Sequence, residues 1–184
     1  MKNAFRLFYL AEPQPRISEL ELKLKKFSLA KREKKFLLVF FLSFAALYLL
    51  VQLLVPEKYL ELIAAVQAGL LQNAGVASSS FGAIVFANSA EFEIVRDCSG
   101  FVMVALLASL LLATGAKNYW KKLVLFGLVL LAFNILRLFL TLFVGARFGQ
   151  QALEATHFTL WIVDAGVVLA LWAFGEGLLN FENS

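Results

Sequence analysis

The sequence predicts an all-α polytopic membrane protein: about four transmembrane helices, an amphipathic helix and a small extracytoplasmic β-hairpin. Hydrophobic residues make up 61% of the 184 residues, whereas soluble domains have about 45–50%. The excess falls in runs close to the ~20 residues that a helix needs to cross a bilayer. Ten of the 17 Lys and Arg residues precede the first run. The net charge of +4 therefore reflects membrane orientation and gives no reason to expect a nucleic-acid partner.

The basic N-terminal segment, residues 1–35, predicts a cytoplasmic amphipathic helix lying on the membrane surface. Its apolar residues recur at helical spacing: Ile17, Leu20, Leu24 and Phe27. A disordered basic tail is the alternative. Residues 36–184 are expected to form a single transmembrane domain.

Four apolar runs predict the spans: Phe36–Val55, Ser99–Thr114, Leu123–Val144 and Phe158–Phe174. The second run is short, so its helix would be tilted or begin slightly below the surface. Three lysines in the loop after it mark that loop as cytoplasmic. Both ends of the spanning region are then cytoplasmic, and the protein is a multi-pass protein of the plasma or inner membrane.

Two segments are expected on the outer side of the membrane. Residues 57–75 are less apolar and predict an interfacial helix, with a fifth span as the alternative. A fifth span would reverse the later loops, and the distribution of basic residues favours the interfacial interpretation. Residues 81–97 contain two short β-prone runs around Asn88, which predict a hairpin.

This topology brings three reactive side chains to one level of the outer leaflet. Cys98, the sole cysteine, begins the second span, and His157, the sole histidine, begins the fourth. Arg137 lies inside the third span, about 10 Å below the outer interface. Each has an ordinary explanation: a small buried hydrophobe, an interfacial polar residue, or an arginine whose side chain reaches the surface. Because an arginine within a span costs at least about 2.5–3.5 kcal/mol, their convergence favours a functional site.

The three side chains suit acyl transfer by a cysteine nucleophile. Asp97 is predicted to be the N-cap of the second span and Cys98 its first helical residue, where the helix dipole lowers a thiol pKa. His157 would act as general base and then as general acid. Arg137 would stabilise the oxyanion or hold a substrate anion. One Cys and one His are too few ligands for a metal site, and no cofactor is expected.

Two further polar residues lie near this level. Asp164 follows His157 by seven residues, so it is on nearly the same helix face at about the depth of Arg137. We expect it to pair with Arg137 and orient it; a polar residue facing a wet cavity is the alternative. Asn134 lies one turn before Arg137, and its side chain would form a hydrogen bond with the backbone of Arg137 or with the substrate.

These motifs resemble the exosortase/archaeosortase family. The family pattern is Cys-Ser/Thr-Gly, then Asn-x-x-Arg, then His or Arg, and the matching residues here are Cys98, Ser99, Gly100, Asn134, Arg137 and His157. The resemblance covers residues 36–175. Many members have more spans than the four predicted here, so the resemblance is to a minimal-length member.

The resemblance implies a membrane cysteine transpeptidase or protease. Its partner would be the C-terminal sorting signal of a surface protein, which consists of a short motif, a hydrophobic helix and a basic tail. The new C-terminus would pass to a membrane acceptor, with a lipid as one candidate. The substrate's scissile bond would lie at the outer interface beside Cys98, where Gly100 would let a backbone approach. Two alternatives use Arg137 and Asp164 without catalysis: a membrane assembly or binding module, and a small anion transporter.

Overall fold

The fold is a helical bundle with a small sheet at one end. The computed structural model describes residues 17–88 and 90–178. The helices are α1 (Ile17–Leu54), α2 (Glu57–Asn73), α3 (Phe101–Thr114), α4 (Tyr119–Phe148) and α5 (Gln150–Gly175). The strands are β1 (Ser78–Phe81), β2 (Ile84–Ala87) and β3 (Ala90–Glu93). A 3-10 turn, Arg96–Ser99, joins β3 to the region before α3.

The first helix is longer than predicted. It runs 38 residues without a break, so the predicted amphipathic helix and the first span are one element. Residues 17–35 are helical, while residues 1–16 lie outside the described part of the chain. The helix ends two residues before Pro56, which disfavours helical geometry at the residue preceding it.

Three helical stretches are long and apolar enough to cross a membrane within the described residues: Lys31–Leu54, Tyr119–Phe148 and Gln150–Gly175. The predicted second span corresponds to α3, which has only 14 residues. At 1.5 Å per residue it is about 21 Å long, short of the ~30 Å hydrocarbon layer. The protein thus has three candidate spans and one shorter apolar helix, and the count of four stays a prediction. Half of α3 is buried, because it packs against α1, α4 and α5.

The predicted outer segments fold together. Helix α2 has 17 residues and packs one face against the sheet and α4. The predicted hairpin is present as β2 and β3, which pair antiparallel across Asn88. The hairpin is confirmed, and β1 adds a third strand to give the order β1-β2-β3. This strand comes from a serine run that carries no hydrophobic alternation, and the Ser78 hydroxyl ties it to α2 by donating to the Ala68 carbonyl at 2.8 Å.

Two buried apolar clusters meet along α4. One joins α2, the sheet and the later part of α4, which contributes Leu138 and Leu142. The other joins α3, α5 and the earlier part of α4, which contributes Phe126 and Leu130. The polar segment containing Asn134 lies between these contributions, so the candidate site occupies the boundary between the two clusters.

Labelling of the sole cysteine tests the predicted orientation. A membrane-impermeant maleimide added to intact cells or spheroplasts should modify Cys98 from outside, because the topology places the 3-10 turn there. Mass spectrometry of the purified protein measures the modification. A matched variant, Cys98→Ala with Lys121→Cys, should react only after the membrane is opened. Exclusive labelling of Lys121→Cys from outside would show that the orientation is reversed.

Candidate active site

Cys98 lies on a 3-10 turn, and the prediction that it begins a helix is wrong. The turn, Arg96–Ser99, will be called the cysteine turn. Gly100 follows it with a φ of 83°, and α3 begins only at Phe101. Left-handed backbone at Gly100, which glycine adopts without steric cost, separates the turn from the helix. Asp97 accordingly makes no N-cap hydrogen bond to α3.

Side chains from α1 and α2 hold the cysteine turn. The Asp97 carboxylate oxygen Oδ1 accepts hydrogen bonds from Tyr48 Oη at 3.2 Å and from Gln52 Nε2 at 2.5 Å, both on α1. Tyr59 of α2 donates its hydroxyl to the Ser99 carbonyl at 3.3 Å. The buried Ser99 hydroxyl accepts the backbone N–H of Phe101 at 3.2 Å, so Ser99, rather than Asp97, satisfies a donor at the start of α3.

Asn134 binds the cysteine turn from α4. Its Nδ2 donates to the Cys98 carbonyl at 2.8 Å, and its side chain is almost fully buried. A Cβ atom on Gly100 would lie 3.1 Å from three atoms of the Asn134 side chain. The expectation that Gly100 leaves room for a substrate backbone is therefore wrong: the Asn134 side chain fills that space.

Arg137 and Asp164 form the ion pair predicted from their positions. Arg137 Nη1 donates to Asp164 Oδ2 at 2.6 Å, and the two side chains are 4% and 6% exposed. Three nearby polar atoms have no hydrogen-bond partner within the described residues: Asn134 Oδ1, Arg137 Nε and Asp164 Oδ1. Buried polar groups in proteins are nearly always hydrogen-bonded, so these atoms remain available to bind a polar ligand.

His157 lies at the edge of this group. It is exposed on α5, where it lines a surface groove with neighbours such as Glu154 and Trp161. It interacts electrostatically with Asp164, two turns further along the helix. Its imidazole makes no hydrogen bond to Cys98 in residues 17–88 and 90–178. The structure thus brings Cys98, Asn134, Arg137 and Asp164 together, whereas His157 lies two turns from Asp164 on α5.

The Cys98 thiol lies outside the spanning helices and is partly buried. Burial raises the pKa of this thiol; the Arg137 charge acts in the opposite direction, and the Asp97 charge adds to the increase. The sequence predicted a lowered pKa, but burial is the largest influence and the pKa is raised. A raised pKa leaves the resting thiol protonated, so a base has to remove its proton before it can act as a nucleophile.

Gln67 is a site-supporting residue that the sequence did not reveal. It is fully buried on the apolar face of α2, and its Nε2 donates to the Ile135 carbonyl at 3.0 Å. Ile135 directly follows Asn134, so this bond attaches α2 to α4 at the site. The available signal was a glutamine at helical spacing among buried apolar residues, namely Ile63, Ala64 and Leu71.

No group of three His, Cys, Asp or Glu side chains within the described residues could hold a metal ion. The polar atoms of the site belong instead to amide, guanidinium and carboxylate groups. These groups form hydrogen bonds with peptide, carboxylate or phosphate groups.

Comparison with known proteins identifies the family. The transmembrane exosortase family matches residues 28–174 of this chain, so the chain belongs to the transmembrane exosortase family. The match includes the cysteine turn, Asn134 and Arg137 of α4, and His157. No curated protein and no solved structure matches the chain.

Substitution of Gly100 tests the close approach of Asn134. Gly100→Ala should destabilise the protein, because left-handed backbone costs an L-residue about 1–2 kcal/mol and the new Cβ would press on the Asn134 side chain. The displaced Asn134 should also change the rate at which iodoacetamide alkylates Cys98. Thermal unfolding in detergent and alkylation kinetics measure the two effects.

Gly115→Ala is the matched control, because Gly115 has a φ of 65° and an added Cβ there meets nothing within 4 Å. It should show the backbone cost alone and leave the alkylation rate unchanged. Equal effects of the two substitutions on both measurements would contradict the role assigned to Asn134.

Neutralising Asp97 tests the electrostatics of the thiol. The negative charge of Asp97 raises the pKa of Cys98, so Asp97→Asn should lower it. The alkylation rate of Cys98, measured as a function of pH, should then begin to rise at a lower pH in the variant than in the wild type. Asparagine keeps an acceptor oxygen for Tyr48 and Gln52. Glu93→Gln, at an exposed position of β3, is the control and should leave the profile in place; a profile that shifts equally in both variants would refute the assignment.

Proposed function

We propose that this protein is a membrane-embedded cysteine transpeptidase or protease that cleaves C-terminal sorting signals of surface proteins at the outer membrane face. One observation carries the proposal. Asn134 binds the backbone of Cys98, while Arg137, one turn later on the same helix, places its charge close enough to act on the thiol. A nucleophile is thereby set beside a fixed positive charge, as acyl transfer requires. Membership of the transmembrane exosortase family supports the same chemistry.

Cys98 is the proposed nucleophile. His157 removes the thiol proton, and the sulfur attacks the carbonyl carbon of the scissile peptide bond to form a tetrahedral intermediate. Arg137 stabilises the oxyanion of that intermediate by charge and hydrogen bonding. The intermediate collapses as the C–N bond breaks, and His157 returns the proton to the leaving amine. The product is a thioester between Cys98 and the new C-terminal acyl group.

A second nucleophile completes the reaction. Its hydroxyl or amine attacks the thioester, the Cys98 thiolate leaves, and the proton returns to the site through His157. Water as the nucleophile gives hydrolysis, and a membrane acceptor gives transpeptidation. We propose transfer to a membrane acceptor, since the site lies at the end of membrane-spanning helices and its arginine suits the phosphate of a lipid headgroup.

Asp164 is proposed as a positioning residue. Its ion pair with Arg137 holds the guanidinium in one orientation. The distance from His157 to the thiol would shorten when substrate binds, since catalytic hydrogen bonds often tighten only in the substrate complex.

Replacement of the nucleophile tests the proposal. The protein is co-expressed with a membrane protein that ends in a short motif, an apolar helix and a basic tail, and intact mass reports the processing. Cys98→Ala should abolish processing, because no other side chain in the chain carries a thiol. Ser109→Ala removes one local hydrogen bond of α3 and should process normally.

The alternative functions give a different result in the same experiment. A binding module or an anion transporter that uses Arg137 and Asp164 needs no thiol. Processing that persists in Cys98→Ala would therefore overturn the proposed enzyme activity.

A further inference from the structure

An apolar trough runs along α3 toward the cysteine turn. It consists of two adjoining cavities of about 430 and 260 Å³. Helices α1 and α4 form its walls, and Phe101, Val104 and Leu123 line both cavities. Every side chain that lines it is hydrophobic, aromatic, glycine or proline. The trough is therefore an apolar recess in the side of the bundle.

The floor of the trough differs from the other apolar surfaces of the bundle. On α3 it includes Ala105 and Ala108, and on the α4 side it includes Gly127. Small residues allow the backbones of two membrane helices to approach closely. The outer face of α5, by contrast, carries large exposed side chains such as Trp161 and Ile162. A concave surface with a small-residue floor fits a helix better than the convex faces do.

The trough ends at the candidate site. Phe101, at its end, lies three residues after Cys98 and contacts Tyr59 with ring centroids 5.2 Å apart. Tyr59 in turn donates its hydroxyl to the Ser99 carbonyl. A helix bound in the trough would therefore end beside the cysteine turn. The residues adjoining that end of the helix would lie next to the Cys98 thiol.

We propose that this trough binds the apolar membrane-spanning helix of the substrate and thereby sets which peptide bond reaches Cys98. The identity of the occupant rests on the proposed function. Helix association within a membrane depends on close packing rather than on the hydrophobic effect, so the shape of the trough is what selects a helix. Because the docked helix has a fixed position, the peptide bond at a fixed distance from the apolar segment is the one that reaches Cys98.

Disulfide trapping tests the docking without any need for catalysis. The probe is a synthetic Leu/Ala-rich peptide that spans a bilayer and carries one cysteine at its outer end. It is reconstituted with the full chain in phosphatidylcholine vesicles and oxidised with copper phenanthroline. Cys98 is the sole cysteine of the chain, so each cross-linked product joins the probe to Cys98. A second probe carries its cysteine at the inner end instead.

Two pairs of substitutions separate the trough from general membrane effects. Val104→Trp and Leu123→Trp place a bulky ring in the trough and should lower the disulfide yield about tenfold, equivalent to about 1.4 kcal/mol of affinity. Val129→Trp and Leu125→Trp make the same changes at exposed positions of α4 outside the trough and should leave the yield unchanged. Alkylation of Cys98 by iodoacetamide at the wild-type rate shows that a variant is folded.

The outcomes are distinct from those of the processing experiment. Equal yields in all four variants, equal yields from the two probes, or no cross-link in the wild type would each overturn the docking proposal. A lipid chain as the occupant would give the first of these results. If the docking proposal fails but Cys98→Ala abolishes processing, the proposed enzyme function still stands. If processing persists in Cys98→Ala, that function is overturned whatever the disulfide yields are.

Discussion

The ion pair between Arg137 and Asp164 constrains the whole site. A charged side chain buried in an apolar bundle is costly unless it is paired, so α4 and α5 must keep the rotation that brings these two groups together. That rotation has consequences along both helices. One turn before Arg137, it directs Asn134 toward the cysteine turn. Two turns before Asp164, it places His157 on nearly the same face of α5. A single pairing thus constrains the positions of two other candidate site residues.

The cysteine turn is held from several directions at once. Helix α1 binds its carboxylate, α2 binds one of its carbonyls and α4 binds another. Such fixing of a nucleophile lowers the entropic cost of reaching the transition state. The same surroundings bury the thiol and raise its pKa. The proposed nucleophile is thus held in place but protonated at rest, so the proposed mechanism requires His157 to reach the thiol when substrate binds. The exposed position of His157, two turns from Asp164 and not bonded to the thiol within the described residues, agrees with that requirement.

Hydropathy and charge predicted the long helices, because a span is a local property of about 20 consecutive residues. The pairing of Arg137 with Asp164 was also predictable, since buried charges require partners and helical spacing limited the choice. The cysteine turn was mispredicted because the aspartate of "DCSG" satisfies the local rules for an N-cap. Its actual partners lie more than 40 residues away on α1, and no local pattern reports them. The supporting role of Gln67 was not predicted for the same reason, because it depends on a hydrogen bond to a carbonyl of α4.

The short length of α3 explains where the site lies. A helix of 14 residues is shorter than the hydrocarbon layer is thick, so under the predicted orientation the chain N-terminal to it would lie near or below the outer surface. Helix α2 and the sheet supply that cover, and their apolar cluster meets the bundle cluster at the level of Asn134. The thiol is therefore placed at the boundary between membrane and cover. A peptide bond adjoining an apolar helix lies at that same depth, because the helix ends where the hydrocarbon layer ends. Under the proposed function, the short length of α3 would place the nucleophile where a membrane-anchored substrate becomes extended.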